Sequence, residues 1–183
     1  MKARKVTDLE PDEALADNAE RIVRVRLDEL CGFMPRAADP AEVVALHDMR
    51  IAAKRLRYIL EITGPCFGPY ARTATKLTKE LQDLLGEIHD CDVQIPEIAE
   101  FAGRLLDEDA AALHAAGDAD PRQAPHARDH VGVALLQTHL RARRLILFDE
   151  FLAMWQSLER KGFRARLEYA VGSRADVHIS GSG

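Results

Sequence analysis

The basic residues of the segment 45–63, ALHDMRIAAKRLRYILEIT, fall into an order that could do chemistry. Placed at about 100° per residue around a helix axis, His47, Arg50, Lys54 and Arg57 gather with Tyr58 on one side, at spacings of three and four. Leu46, Met49, Ala53, Leu56 and Leu60 gather on the other, with Ala52 and Ile59 at its margin. The first side is a cationic ladder climbing about 1.5 Å per residue. Like charges at this spacing repel by a few tenths of a kcal/mol per pair, and only Glu61, at the end, joins the stripe. A helix that carries such a stripe is built to hold an anion. Lysine supplies a point charge, arginine a forked donor that matches oxyanions, and His47 a charge that changes near neutral pH. Arg55 sits off the stripe, at its rim.

Two further segments repeat the design. Arg72, Lys76 and Lys79 share one stripe of the next helical segment, with Leu77, Leu81, Leu84 and Ile88 opposite. If GPCFGPY joins these two segments as an antiparallel hairpin, their apolar faces pack together and their basic stripes could line one groove. Farther on, HLRARRLILFDEFLAMW places Gln137, Arg141 and Arg144 on a stripe that continues into Phe148 and Trp155, while His139 and Arg143 project elsewhere. Arg141 and Arg144 are the better candidates there for ligand contact.

A net charge of -5 over 183 residues argues against an anion-binding protein, but the distribution reverses that impression. Residues 47–79 hold seven Lys/Arg against two acids, and residues 141–174 hold eight against four. Residues 80–120 between them hold twelve Asp/Glu against Arg104 alone. Local fields, not the total, decide where an anion docks.

The elements that must position these stripes are helices. Ala and Leu dominate a chain that is 47% hydrophobic and 30% charged, a mix that loses little rotamer freedom in a helix. Segments are expected from about Pro11 to Cys31, from near Pro40 to Thr63, from about Pro69 to Gly86 or Ile88, and from Cys91–Pro96 to Gly117. A fifth runs from about Ala127 to Lys161, and a short last one covers Phe163–Val171. PRAADP and GDADPRQAPHARD read as loops. Short connections imply antiparallel neighbours, so the expected fold is an all-α antiparallel bundle of about five to six helices. One domain over 1–175 is expected, with 176–183 a disordered tail or an expression remnant.

Several chemistries find little footing. Cys31, Cys66 and Cys91 suit neither a disulfide framework nor paired zinc ligands, and read as buried thiols of a reducing cytosol. No run approaches the roughly 20 apolar residues that span a bilayer, and MKARKVTDLEPDEALAD lacks the apolar stretch of a secretory signal. There is no Gly-rich phosphate loop, no nucleophile–base pair and no HExxH, so no enzyme, cofactor or catalytic residue is expected. The dipeptides His47-Asp48 and His89-Asp90, with Asp92, keep a metal-dependent phosphohydrolase as an alternative. Against it, Asp48 lies about 100° from His47 on the helix, and no metal site is expected. His89, Asp90 and Asp92 read instead as a helix-end turn, with Asp90 or Asp92 capping the next helix. A scaffold for an acidic protein partner is a second alternative. Nucleic acid fits poorly, because Tyr58 is the lone aromatic on a basic stripe and bases need stacking platforms.

The segment ALHDMRIAAKRLRYILE resembles the signature helix of the CHAD domain, the conserved-histidine α-helical domain: a His, an Arg three residues on, then a basic cluster. KLTKELQDLLGEIHDCDV is similar to the family's lysine-bearing helix and the Leu-Gly and (H/R)-D-x-D-V turn that follow it, and HLRARRLILFDEFLAMW is a looser match. The resemblance spans roughly residues 15–165. It implies non-catalytic binding of inorganic polyphosphate, in the cytoplasm and on polyphosphate granules. His47, Arg50, Lys54, Arg55 and Arg57 would serve from the signature helix, Lys76 and Lys79 from the lysine helix, and Arg141 and Arg144 beside them. Typical members hold two related halves, each with a basic signature helix, whereas this chain has one. It resembles a short, single-repeat form, for which a homodimer could supply the second half.

Overall fold

The computed structural model describes residues 2–173, so the stretch 176–183 expected to be a tail lies outside the described residues. Among the described residues six α-helices follow one another: α1 (Leu15–Cys31), α2 (Met34–Ala37), α3 (Val43–Thr63), α4 (Tyr70–Ala116), α5 (Asp129–Arg160) and α6 (Phe163–Gly172). Among the described residues there is no β-strand, and the fold is all-α. The backbone divides into two compact units. One holds the described residues up to Gly86 and from Glu150 on; the other is Glu87–Asp149.

In the first unit α1 packs on α3 and α6, and α2 packs on α3. The buried residues of α3 are Leu46, Met49, Ala53, Leu56, Leu60 and Thr63, with Ala45 and Ala52 beside them. The spacing of the first six alternates three and four, which is the spacing of a helix seam that interleaves with a neighbour. Ala19, Val23, Leu27 and Leu30 form the matching seam of α1, and Ala71, Ala74, Thr78, Leu81 and Leu85 that of α4. Phe151, Trp155 and Leu158 of α5, with Phe163 and Leu167 of α6, complete this core. α3 stops where Gly64 and Pro65 follow. Its last residue, Thr63, donates its hydroxyl to the Ile59 carbonyl at 2.6 Å.

Two expectations are corrected. PRAADP is not wholly a loop, because its start is helical in α2. The two helices expected to meet between Gly86 and Pro96 are one 47-residue helix, α4. Gly86 costs only about 1 kcal/mol against Ala in a helix interior. Pro96 deprives the Asp92 carbonyl of its usual donor, a local loss of about 3 kcal/mol. Against those costs the buried seam runs on through Leu81, Leu85, Ile88 and Cys91 at spacings of four, three and three. His89, Asp90 and Asp92 therefore lie inside a helix, and neither Asp caps one.

In the second unit α4 ends at Gly117, whose φ of 65° opens the left-handed turn that closes a helix. Asp118 there donates its N–H to the Leu113 carbonyl at 3.0 Å. The loop that follows is latched back onto α4 by Asp109. This buried carboxylate accepts the His126 backbone N–H at 2.9 Å and lies 2.7 Å from Nε2 of His130. His126 also reaches Glu108 at 3.2 Å. Burial opposes ionisation of Asp109, but the His130 ring and the His126 N–H outweigh it and hold the carboxyl below its ordinary range. A carboxyl depressed in the folded state adds stability above the unfolded-chain value of about 3.9 and loses it as pH falls through the lower folded value. Asp109→Asn is therefore expected to flatten the acid side of a plot of melting temperature against pH. An acid limb identical to that of the parent chain would contradict the latch.

Candidate functional site

Because Leu46, Met49, Ala53, Leu56 and Leu60 are consumed by the core, the other side of α3 must face outward. Lys54 and Tyr58 are exposed, and His47, Arg50 and Arg57 are half-buried along the same stripe, with Arg55 half-buried off it. Arg57 donates from Nη1 to Glu61 at 3.2 Å, and its guanidinium lies 4.6 Å from the centre of the Tyr58 ring. Nζ of Lys54 lies 5.7 Å from the same ring. Two cations thus lie near one aromatic ring, each an attraction worth about 0.5–1 kcal/mol at exposed sites.

Arg50 lies against α4, where a Cβ on Gly86 would stand 3.4 Å from its Nε, the near edge of ordinary van der Waals contact. Nε of Arg50 and Nε of Arg57 are both buried with no hydrogen-bond partner among the described residues. Such N–H groups are costly to leave unmade, about 1–3 kcal/mol each.

Within the same unit, Arg72, Lys76 and Lys79 are exposed along the first half of α4, opposite its buried seam. Arg72 and Lys76 line a shallow cleft of about 380 Å³ together with Leu60, Glu61, Gly64, Pro65 and Thr75. The end of the α3 stripe and the start of the α4 stripe therefore meet at this cleft, with Glu61 between them. Lys79 pairs with Asp83 at 2.5 Å, with both side chains half out in water. Exposed pairs of this kind contribute about 0–1 kcal/mol.

Arg141 and Arg144 belong to the second unit, and the structure gives them different settings. Arg141 is exposed. Arg144 is 8% exposed; its Nε donates to Asp92 at 2.8 Å and its guanidinium lies 5.6 Å from the Phe148 ring centre. The pair with Asp92 is nearly dry at both partners. These contacts hold α5 against α4 inside that unit. Beside them Arg143 reaches Glu87 at 2.5 Å.

Two placements were not foreseen. Arg50 lies against Gly86; the signal was a glycine inside a strongly helical run. Asp92, expected to cap a helix, is the counter-ion of Arg144. Among the described residues no three His, Cys, Asp or Glu side chains gather as a metal-ligand set, and no helix is long and apolar enough to cross a membrane. The three cysteines are unpaired, and burial pushes the Cys31 thiol up to about 11.

Compared with known proteins, residues 2–99, just over half of the chain, match the family described as the CHAD domain. No curated protein and no solved structure matches the chain.

Removing one partner of a buried pair strands the other charge, at a cost of about 3–5 kcal/mol. Arg144→Ala is expected to lower unfolding stability by about 3 kcal/mol. Asp92→Asn combined with Arg144→Met should cost less than that single change. Chemical denaturation measures both. Equal losses for the single and the double variant would show that the pair is not what Arg144 contributes.

Proposed function

The chain belongs to the CHAD domain family, and from that premise we propose that it binds inorganic polyphosphate on the cationic faces of α3 and the first half of α4, without chemically altering it. The observation that carries the reading is the row of Arg50, Lys54 and Arg57 that the core of α3 leaves on its outward side, with Lys54 exposed, near the Arg72–Lys76 cleft. Polyphosphate is a flexible chain with about one negative charge per phosphate and no bases to read. A receptor for it needs donors at regular intervals on a rigid support, and a helix of this kind supplies them. His47 adds a charge that varies near neutral pH. Arg55 serves at the rim, Lys79 extends the α4 stripe, and Arg141 offers a further exposed cation on the second unit. Arg144 acts through Asp92 in this reading, as a support of that unit.

Two features favour polyphosphate over single-stranded nucleic acid and over catalysis. Tyr58, the aromatic of the stripe, already carries Arg57 and Lys54 over its ring, contacts that a stacked base would have to displace. Thr75, the hydroxyl of the cleft, donates to the Ala71 carbonyl at 2.8 Å, so its proton is engaged by its own helix. The site of action would be the cytoplasm, on polyphosphate granules.

The test is a binding titration of long-chain polyphosphate against orthophosphate. The long chain is expected to bind far more tightly, with an affinity that falls steeply as salt rises. Replacing Arg50, Lys54 and Arg57 together by Ala removes charge-assisted contacts of about 1.5–3 kcal/mol each. The affinity should then fall by roughly a hundredfold or more while helical circular dichroism is kept. Undiminished binding by the triple variant would refute the assignment.

A further inference from the structure

α5 is apolar on two opposite faces. One face, Leu140, Leu147, Phe148 and Phe151, is buried. The other is not. Val131, Leu135, Thr138, Ala142 and Leu145 follow one another at spacings of four, three, four and three, with Ile146 beside the last. All of them are exposed; Val131 and Leu135 are each 65% exposed, Leu145 59% and Ile146 58%. A four–three repeat is the seam of a helix that interleaves with another helix, and a helix that is apolar all round is ordinarily covered on both sides. The seam ends in opposite charges. Arg128 stands one turn before Val131, and Asp149 stands one turn after Leu145. Both are exposed, and neither forms an ion pair among the described residues.

We propose that this outward face of α5 pairs with the same face of a second copy of the chain, antiparallel and about a two-fold axis. The end charges choose the occupant and the direction. A parallel pair would set Arg128 beside Arg128 and Asp149 beside Asp149. The antiparallel pair sets Leu135 of one copy against Leu145 of the other, and Thr138 against Ala142. Asp149 then lies level with Val131 of the other copy, one turn from its Arg128. Both ends are satisfied at once, as an isologous contact requires. Ala142, and Gly132 and Ala134 beside the seam, let the backbones approach closely. Arg141 flanks the axis in each copy, where its long stem can lie along the seam and carry its charge out to water. The pairing does not depend on polyphosphate.

Light scattering of the full chain across a concentration series tests it. The parent protein is expected to approach twice its 20.4 kDa chain mass at the upper concentrations. Leu135→Glu with Leu145→Glu should hold it at the single-chain mass with helical circular dichroism kept, since both side chains lie outside the core. Arg128→Asp and Asp149→Arg should each raise the dissociation constant by roughly tenfold, and the two together should restore it. A parent chain that stays at the single-chain mass throughout overturns the proposal. So does a dimer indifferent to the leucine substitutions, or a charge-reversed pair no tighter than its single variants.

Discussion

The seam of α3 decides where every cation on that helix can go. Leu46, Met49, Ala53, Leu56 and Leu60 are each about 98% or more removed from solvent, and burying side chains of the larger kind contributes about 1.5–3 kcal/mol apiece. Rotating α3 enough to hide Arg50, Lys54 or Arg57 would expose that seam. The like-charge repulsion along the stripe is smaller, a few tenths of a kcal/mol per pair. The core therefore wins, and the cations are held outward in a row, on a rigid rod with small scope to rearrange.

Burial then separates arginines that look alike in sequence. Arg50 lies against Gly86 of α4 with one N–H unsatisfied, and Arg57 leans on Tyr58 while pairing with Glu61. Arg144 is more deeply buried and has Asp92 beside it. A guanidinium removed from water that far needs a fixed counter-ion, and once it has one its role is internal. The same chemistry thus stands on an outward face in one place and packs two helices together in another.

Most of the fold was legible because apolar spacing is a strong signal. The faces of α3 follow from counting residues at 100°, and the ends of α1, α3, α5 and α6 follow from glycine and proline nearby. The break inside α4 misled for a physical reason. Gly86 and Pro96 are local signals against helix, while the seam through Leu81, Leu85, Ile88 and Cys91 is a longer one in its favour, and packing outweighed propensity. The site divides in the same way. The stripes of α3 and α4 could be read from one helix at a time. The approach of Arg50 to Gly86 and the bond from Arg144 to Asp92 could not, because each depends on which residue the neighbouring helix brings alongside. The second apolar face of α5 was masked in the sequence by the first, since residues that are apolar on opposite sides cancel any single direction.

The central claim is that a polyanion lies along α3 and the start of α4, and lysine footprinting tests it most directly. Lys2, Lys5, Lys54, Lys76, Lys79 and Lys161 are all the lysines of the chain, and all are exposed. Acetylation rates of each can therefore be compared with and without long-chain polyphosphate. Slower modification of Lys54, Lys76 and Lys79, with Lys2, Lys5 and Lys161 unchanged, is the expected result. Equal protection of all six, or protection confined to Lys2, Lys5 and Lys161, would contradict it.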